Sequence, residues 1–288
     1  MYGDQVCCAY DIFAQPSSSA VRPPEGYHFS AYIFMYDFLL FARRRQFYGF
    51  IATQDADPYS HVLAIRGTEG WWEWWDDAGV LPTLFSPVPQ AGVVHAGFNR
   101  IYSTMVLVPV SRYKSTSVDE ARALLPAHDG TPSFADQLEN LLNSAAFVAE
   151  HPGVSPTGVS DHHFVVTGHS LGGALCTLYV MEHAIKKKVA PRRAIIERIC
   201  TFASPRVGMN TFVNLFHGLP IDSWRIANAQ DLVPDVPPGW LFGYRHVEDA
   251  YIFTSENVTK YSPSCWHDMR TYLHLLDAAR PIQRECLS

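Results

Sequence analysis

The run Thr167-Gly168-His169-Ser170-Leu171-Gly172-Gly173-Ala174 holds a serine between glycines placed two residues before and two residues after it. An apolar, strand-like run, His162 to Thr167, precedes it and a helical run, Ala174 to Lys188, follows. A serine at the tip of a tight strand-to-helix turn takes a strained backbone conformation, and small residues on either side let strand and helix approach closely. Gly168 and Gly172 meet that need, and Gly173 adds room. Such a turn raises the Ser170 hydroxyl at the carboxyl edge of a sheet, where open α/β sheets carry their sites. It also aims the Leu171 N–H at the head of the next helix, where a developing oxyanion is stabilised. The chemistry this implies is nucleophilic attack on a carbonyl.

A serine hydroxyl needs a base to take its proton and an acid to orient that base, and on this kind of turn the chain order is serine, acid, histidine. Asp231 comes just after the apolar strand-like run Ser223 to Ala227, which puts it at the same sheet edge as Ser170. Asp222 precedes that run and falls at the far edge. Asp235, beyond a proline and one turn further out, is the rival. Of the later histidines, His246 lies in a predicted strand and His274 in mid-helix, whereas His267 follows the loop Ser262-Pro263-Ser264-Cys265-Trp266. A loop position lets an imidazole reach across to the sheet edge. Position alone favours His267 without deciding it.

Strand-like and helical runs alternate through the rest of the chain. Phe47 to Thr53 and His61 to Ile65 read as strands, Phe134 to Glu150 as an amphipathic helix, and Arg198 to Phe202 as a strand. Tyr244 to Phe253 reads as a hairpin, and His267 to about Ala279 as the last helix. The apolar run Phe29 to Phe41 is too short to span a bilayer and reads as a buried helix. The alternation predicts an α/β fold, a mostly parallel central sheet with helices on both faces. Pro- and Ser-rich segments are short and flanked by apolar runs, so one domain over residues 1–288 is expected.

The composition, 48% hydrophobic with a formal net charge of -6, permits a large core and makes nucleic acid an unexpected partner. Six cysteines show no metal-ligand spacing, so no metal is expected. Cys176 and Cys200 sit in apolar runs as buried thiols. Cys265 and Cys286 could pair with each other or with Cys7 and Cys8. The N-terminal residues carry no basic-then-apolar signal, and the compartment stays open.

One segment stands apart: Gly70-Trp71-Trp72-Glu73-Trp74-Trp75-Asp76-Asp77 holds four of the seven tryptophans. At about 100° per residue on a helix, Trp71, Trp74 and Trp75 share one face, with Trp72 at its edge and the acids opposite. Four indoles can bury roughly 600 to 1000 Å², more than a soluble monomer ordinarily leaves in water. Either a core helix or a lid over an apolar cleft satisfies that demand.

Taken together, these residues resemble the class 3 lipases, the filamentous-fungal type of triacylglycerol lipase with bacterial and plant relatives. The likeness runs through Ala64-Ile65-Arg66-Gly67-Thr68, Val94-His95-Ala96-Gly97-Phe98, the Gly168 to Gly173 turn, Phe202-Ala203-Ser204-Pro205-Arg206-Val207-Gly208, Asn228-Ala229-Gln230-Asp231-Leu232-Val233-Pro234, and His267 before the terminal helix. The resemblance implies an α/β-hydrolase fold, a triad of Ser170, Asp231 and His267, and an oxyanion hole from Thr68 and the Leu171 N–H. It makes the tryptophan helix, about 69–78, the lid, with Trp71, Trp72, Trp74 and Trp75 meeting substrate. Activity on lipid esters at an oil–water or micelle interface is then expected, most directly as a triacylglycerol lipase and alternatively as a phospholipase A or feruloyl esterase. A non-catalytic lipid-binding relative is the remaining alternative. No cofactor, transmembrane segment or protein partner is implied. Residues 103–133 depart from the fungal pattern, as a second flap over the cleft or as surface decoration.

Overall fold

The computed structural model describes residues 2–18, 21–36, 45–68, 81–126, 132–151 and 161–287. Its strands in chain order are β1 (Tyr27–Tyr36), β2 (Arg45–Gln54), β3 (Ser60–Ile65), β4 (Pro82–Leu84), β5 (Val93–His95), β6 (Val106–Pro109), β7 (His162–His169), β8 (Ala194–Phe202), β9 (Asp222–Asn228) and β10 (Ala250–Phe253). The helices are α1 (Tyr2–Ala14), α2 (Ala96–Tyr102), α3 (Val118–Arg122), α4 (Phe134–Leu142), α5 (Ala145–Glu150), α6 (Leu171–Val189), α7 (Asn210–His217), α8 (Gly239–Phe242), α9 (Pro263–His267) and α10 (Met269–Leu276).

Eight strands form one sheet in the order β10-β9-β8-β7-β3-β2-β1-β6. The block from β10 to β3 is parallel, and β2, β1 and β6 extend it by antiparallel pairing. Parallel strands need crossovers, and the long helix α6 makes the one from β7 to β8. The mostly parallel sheet with helices on both faces is therefore as expected. Alternate residues of each strand feed opposite faces: Leu63 and Ile65 pack toward α2, α4 and α6, whereas Val62 and Ala64 pack toward α1. On that second face Val6 of α1 meets Cys200, Phe202 and Ile226 together with Met269 and Tyr272 of α10.

Several expectations are corrected. The described part of the apolar run expected as a helix, Phe29 to Tyr36, is strand, within β1, because both its faces are covered: Ile33 and Met35 enter one core and Tyr32 and Phe34 the other; residues 37–41 lie outside the described residues. A strand buried on both sides shows no alternation to read. Tyr244 to Phe253 is no hairpin, since β10 runs parallel to β9 and Arg245 makes only an isolated bridge to Gly208. The helix expected over Phe134 to Glu150 breaks at Asn143–Ser144, where the Ser144 hydroxyl caps α5. The last helix is found as α10, capped by Asp268, but His267 does not open it: that residue ends the separate short helix α9, in the stretch expected as a loop. Within residues 103–133, Val106–Pro109 is neither flap nor decoration but the edge strand β6 on β1, at the sheet's opposite end from β10. Cys265 and Cys286 form a disulfide, and Cys7, Cys8, Cys176 and Cys200 are free. Trp71, Trp72, Trp74 and Trp75 lie outside the described residues.

Candidate active site

The parallel block brings the carboxyl ends of β3, β7, β8 and β9 to one edge. Ser170 follows β7 directly, Thr68 comes three residues after β3, and Asp231 three residues after β9. Ser170 sits at φ 55°, ψ -126°, a region that side-chain-bearing residues avoid. The turn is held because nothing bulkier than glycine fits beside it. A Cβ on Gly172 would lie 2.3 Å from the Ile65 carbonyl oxygen, and one on Gly168 would lie 2.5 Å from the Gly172 backbone. The Ser170 N–H donates to the Phe202 carbonyl of β8, fixing the turn against the next strand.

His267 closes α9, and its imidazole spans the gap to both partners. Nε2 is 2.8 Å from the Ser170 Oγ and Nδ1 is 2.8 Å from the Asp231 Oδ2. All three side chains are buried. An ionised Asp231 accepts only, so Nδ1 carries the proton and Nε2 is left bare toward the serine. Asp231 also accepts from the Tyr272 hydroxyl at 2.8 Å and from the Val233 N–H at 3.0 Å. Burial first, and the Asp231 charge second, push the Tyr272 phenol well above its ordinary range, so it remains a donor.

Behind the serine lies a second set of contacts. The His169 Nε2 is 2.8 Å from the His267 carbonyl oxygen, which only accepts, so that nitrogen carries the proton. The His169 Nδ1 must then accept from the Tyr10 hydroxyl, 2.7 Å away. That hydroxyl in turn accepts from the Gly67 N–H at 2.8 Å. Burial, reinforced by the neighbouring His267, pulls the His169 imidazole well below its usual range, consistent with a neutral ring of fixed tautomer. One phenol from α1 thus ties the residue before Thr68 to the residue before Ser170. Asn228 performs a similar service at β9, its side-chain amide donating to the Trp266 carbonyl and to the Ser255 Oγ.

Thr68 is buried and shares a cleft of about 330 Å³ with Tyr10, His169 and His267. Leu171 opens α6 directly after the serine. The rivals are engaged elsewhere. Asp235 is exposed and paired with Arg206, His246 donates to the Pro234 carbonyl, and His274 donates to the Arg280 carbonyl. Among the described residues, no group of three or more His, Cys, Asp or Glu is arranged to hold a metal.

Residues 62–240 match the model of the family described as Lipase (class 3). The chain belongs to the class 3 lipase family. Among its relatives, the rice (Oryza sativa subsp. japonica) phospholipase A1-II 4 is 29% identical over 227 residues, covering 74% of this chain and 49% of that protein. The secreted mono- and diacylglycerol lipase 1 of Fusarium solani is 40% identical over 88 residues, 31% of this chain and 24% of its own length. The chain spans about half the length of the first of these relatives. The solved lipase from Rhizopus microsporus var. chinensis superposes with a TM-score of 0.54 at 22% identity, covering 88% of this chain and 71% of that one. The sheet and its helices are accordingly the α/β-hydrolase fold of this lipase family.

Tyr10, Asn228 and Tyr272 were not legible from the sequence of this class 3 lipase as members of the site. Tyr272 sits five residues after His267 and reads as one more apolar position of a terminal helix. Nothing near Tyr10 marks it, because its partners lie 57 and 159 residues away.

Proposed function

We propose that this chain is a serine carboxyl-ester hydrolase acting on lipid esters, with Ser170 as nucleophile, His267 as general base and acid, and Asp231 as its orienter. The reading is carried by the hydrogen-bonded line from Ser170 through His267 to Asp231 in a class 3 lipase. Ser170 Oγ attacks the acyl carbonyl carbon as its proton passes to the His267 Nε2. The carbonyl oxygen becomes an oxyanion held by the Leu171 N–H and by Thr68. Collapse expels the alcohol, which takes the proton from Nε2, and leaves an acyl-Ser170 ester. Water, deprotonated by the same nitrogen, repeats the sequence and frees the fatty acid. No step calls for a metal or organic cofactor.

Acylglycerols are the substrates that this reading favours. The four tryptophans of residues 71–75 form, on sequence grounds, an apolar lid, and half of the lower area estimate is roughly 7 kcal/mol of transfer free energy. That makes opening rare in water and assisted by an oil surface, so turnover rises sharply once substrate forms an interface. A phospholipase A1 activity is the second reading, favoured by the long alignment to a rice enzyme of that name. The test is a panel of short soluble ester, emulsified triglyceride and phospholipid vesicles, run on wild type and Ser170→Ala. Loss of at least about 10³-fold in the variant is expected. Turnover near the wild-type level would overturn the assignment of Ser170.

A further inference from the structure

Two apolar elements border the catalytic edge without entering the triad. On α8, Trp240 is 88% exposed and Leu241 57% exposed, and no residue of that helix is buried. On and beside β4, Leu81 is 69% exposed and Leu84 56% exposed. Both elements are fastened to the loop Ser204–Gly208, which leaves β8 next to the serine turn. On one side His95 of β5 donates its N–H to the Val207 carbonyl, and Val94 bridges Gly208. On the other, the Arg206 N–H donates to the Val236 carbonyl and its guanidinium to the Pro237 carbonyl.

The exposed tip is held firmly rather than left to fray. Pro237 and Pro238 lead into α8, and Gly243, at φ 75°, returns its N–H to the Gly239 carbonyl. The patch itself carries no charge. The runs Leu81 to Val94 and Val236 to Tyr244 contain no Asp, Glu, Lys or Arg. Charge begins at their margins, where Arg206 pairs with Asp235 and the exposed Arg245 donates to the Asn210 side-chain oxygen. Indole and leucine on a rigid mount suit the boundary between lipid headgroups and acyl chains. An anionic membrane would be matched by Lys and Arg, which both runs lack.

We propose that Trp240 and Leu241, with Leu81 and Leu84 across the Ser204–Gly208 loop, form a docking surface that seats the catalytic edge on uncharged or zwitterionic lipid assemblies. The proposal rests on the lipid-ester reading of the neighbouring site. The occupant is a lipid surface because the patch is mounted on the loop that leaves β8 beside the Ser170 turn, and its own residues carry no charge to select a protein partner.

The test uses flotation with phosphatidylcholine vesicles, on Ser170→Ala protein with and without Trp240→Ser and Leu241→Ser. Partitioning is expected to fall about tenfold or more in the triple variant, since membrane affinity scales with buried apolar area. In the catalytically intact background, the same two substitutions leave turnover of a soluble short-chain ester within about twofold, because they lie outside the triad and its supports. Added phosphatidylserine or 0.5 M NaCl leaves parental binding unchanged within about twofold. Equal partitioning of parent and variant, or binding that needs anionic lipid and vanishes in salt, overturns the proposal. Vesicle binding through Trp240 by a protein that hydrolyses no ester would sink the lipid-ester reading and leave docking standing. Emulsion hydrolysis and vesicle binding both indifferent to Trp240 and Leu241 would do the reverse.

Discussion

Replacing Tyr10 by phenylalanine removes one oxygen atom and two hydrogen bonds. The hydroxyl accepts from the Gly67 N–H and donates to the His169 Nδ1, at 2.8 and 2.7 Å. Its loss leaves a backbone donor and an imidazole acceptor without their partner in the interior. Each such group costs about 1 to 3 kcal/mol, so the expected destabilisation is about 2 to 4 kcal/mol once some relaxation is allowed. His169 cannot recover by moving its proton to Nδ1, because Nε2 would then face the His267 carbonyl bare. The functional consequence follows from chain position: Gly67 precedes Thr68, and His169 precedes Ser170. Loosening both frees the proposed oxyanion donor relative to the nucleophile, and a displacement near 1 Å costs on the order of 10²-fold in rate. The expected kcat on a soluble short-chain ester is about 10- to 100-fold below wild type, with KM changed by no more than about twofold. Urea unfolding gives the stability term, and kinetics well below the unfolding midpoint give the positional one. A variant that loses stability but keeps kcat would refute the positioning role, and one unchanged in both would refute the hydrogen-bond assignment itself.

Tyr272→Phe removes one of three donors to Asp231. Because the His267 and Val233 donors remain, kcat should fall by a modest factor of about 3 to 30, and a loss as severe as that of Ser170→Ala would contradict the division of labour drawn here. The Cys265–Cys286 disulfide closes a loop with a sequence separation of 21 next to His267. Cys286→Ser should lower stability by about 3 kcal/mol on the loop-entropy model, and an unfolding midpoint unmoved by reductant in the wild type would argue against it. At the opposite edge of the sheet His61 Nε2 meets His162 Nδ1 at 2.8 Å, and His28 meets His151 at 3.2 Å. Burial pulls His162 down to about 4 and His61 well below its ordinary value. The unfolded chain binds these protons first, so stability is complete above about pH 6.5 and drains as pH falls toward 4. His162→Phe should flatten that acid limb of the unfolding midpoint; equal slopes in variant and wild type would exclude the cluster as its source.

The serine turn was legible because its constraint is local: strand, two close-approach glycines and helix are consecutive in sequence. Asp231 was legible for a related reason, since parallel strands all end at one edge. His267 needed the family likeness, because a loop histidine gives no local signal of which way its ring will reach. The run that forms β1 reads as a helix in sequence because burial on two faces erases the alternation that identifies a strand. The break at Asn143–Ser144 is not legible because the apolar spacing continues across it, while the Ser144 cap starts a new helix locally. β6 escaped because edge pairing with β1 depends on a strand more than seventy residues earlier. The supporting shell of Tyr10, Asn228 and Tyr272 depends on contacts between distant segments, which no spacing rule encodes.

The proposed base, His267, lies 97 residues further along the chain than the proposed nucleophile, Ser170. A growing polypeptide therefore makes the serine turn well before His267 exists to accept its proton, and the Tyr10 phenol precedes both. On the proposed mechanism, chemical competence thus waits for the segment that carries His267 to be made and seated.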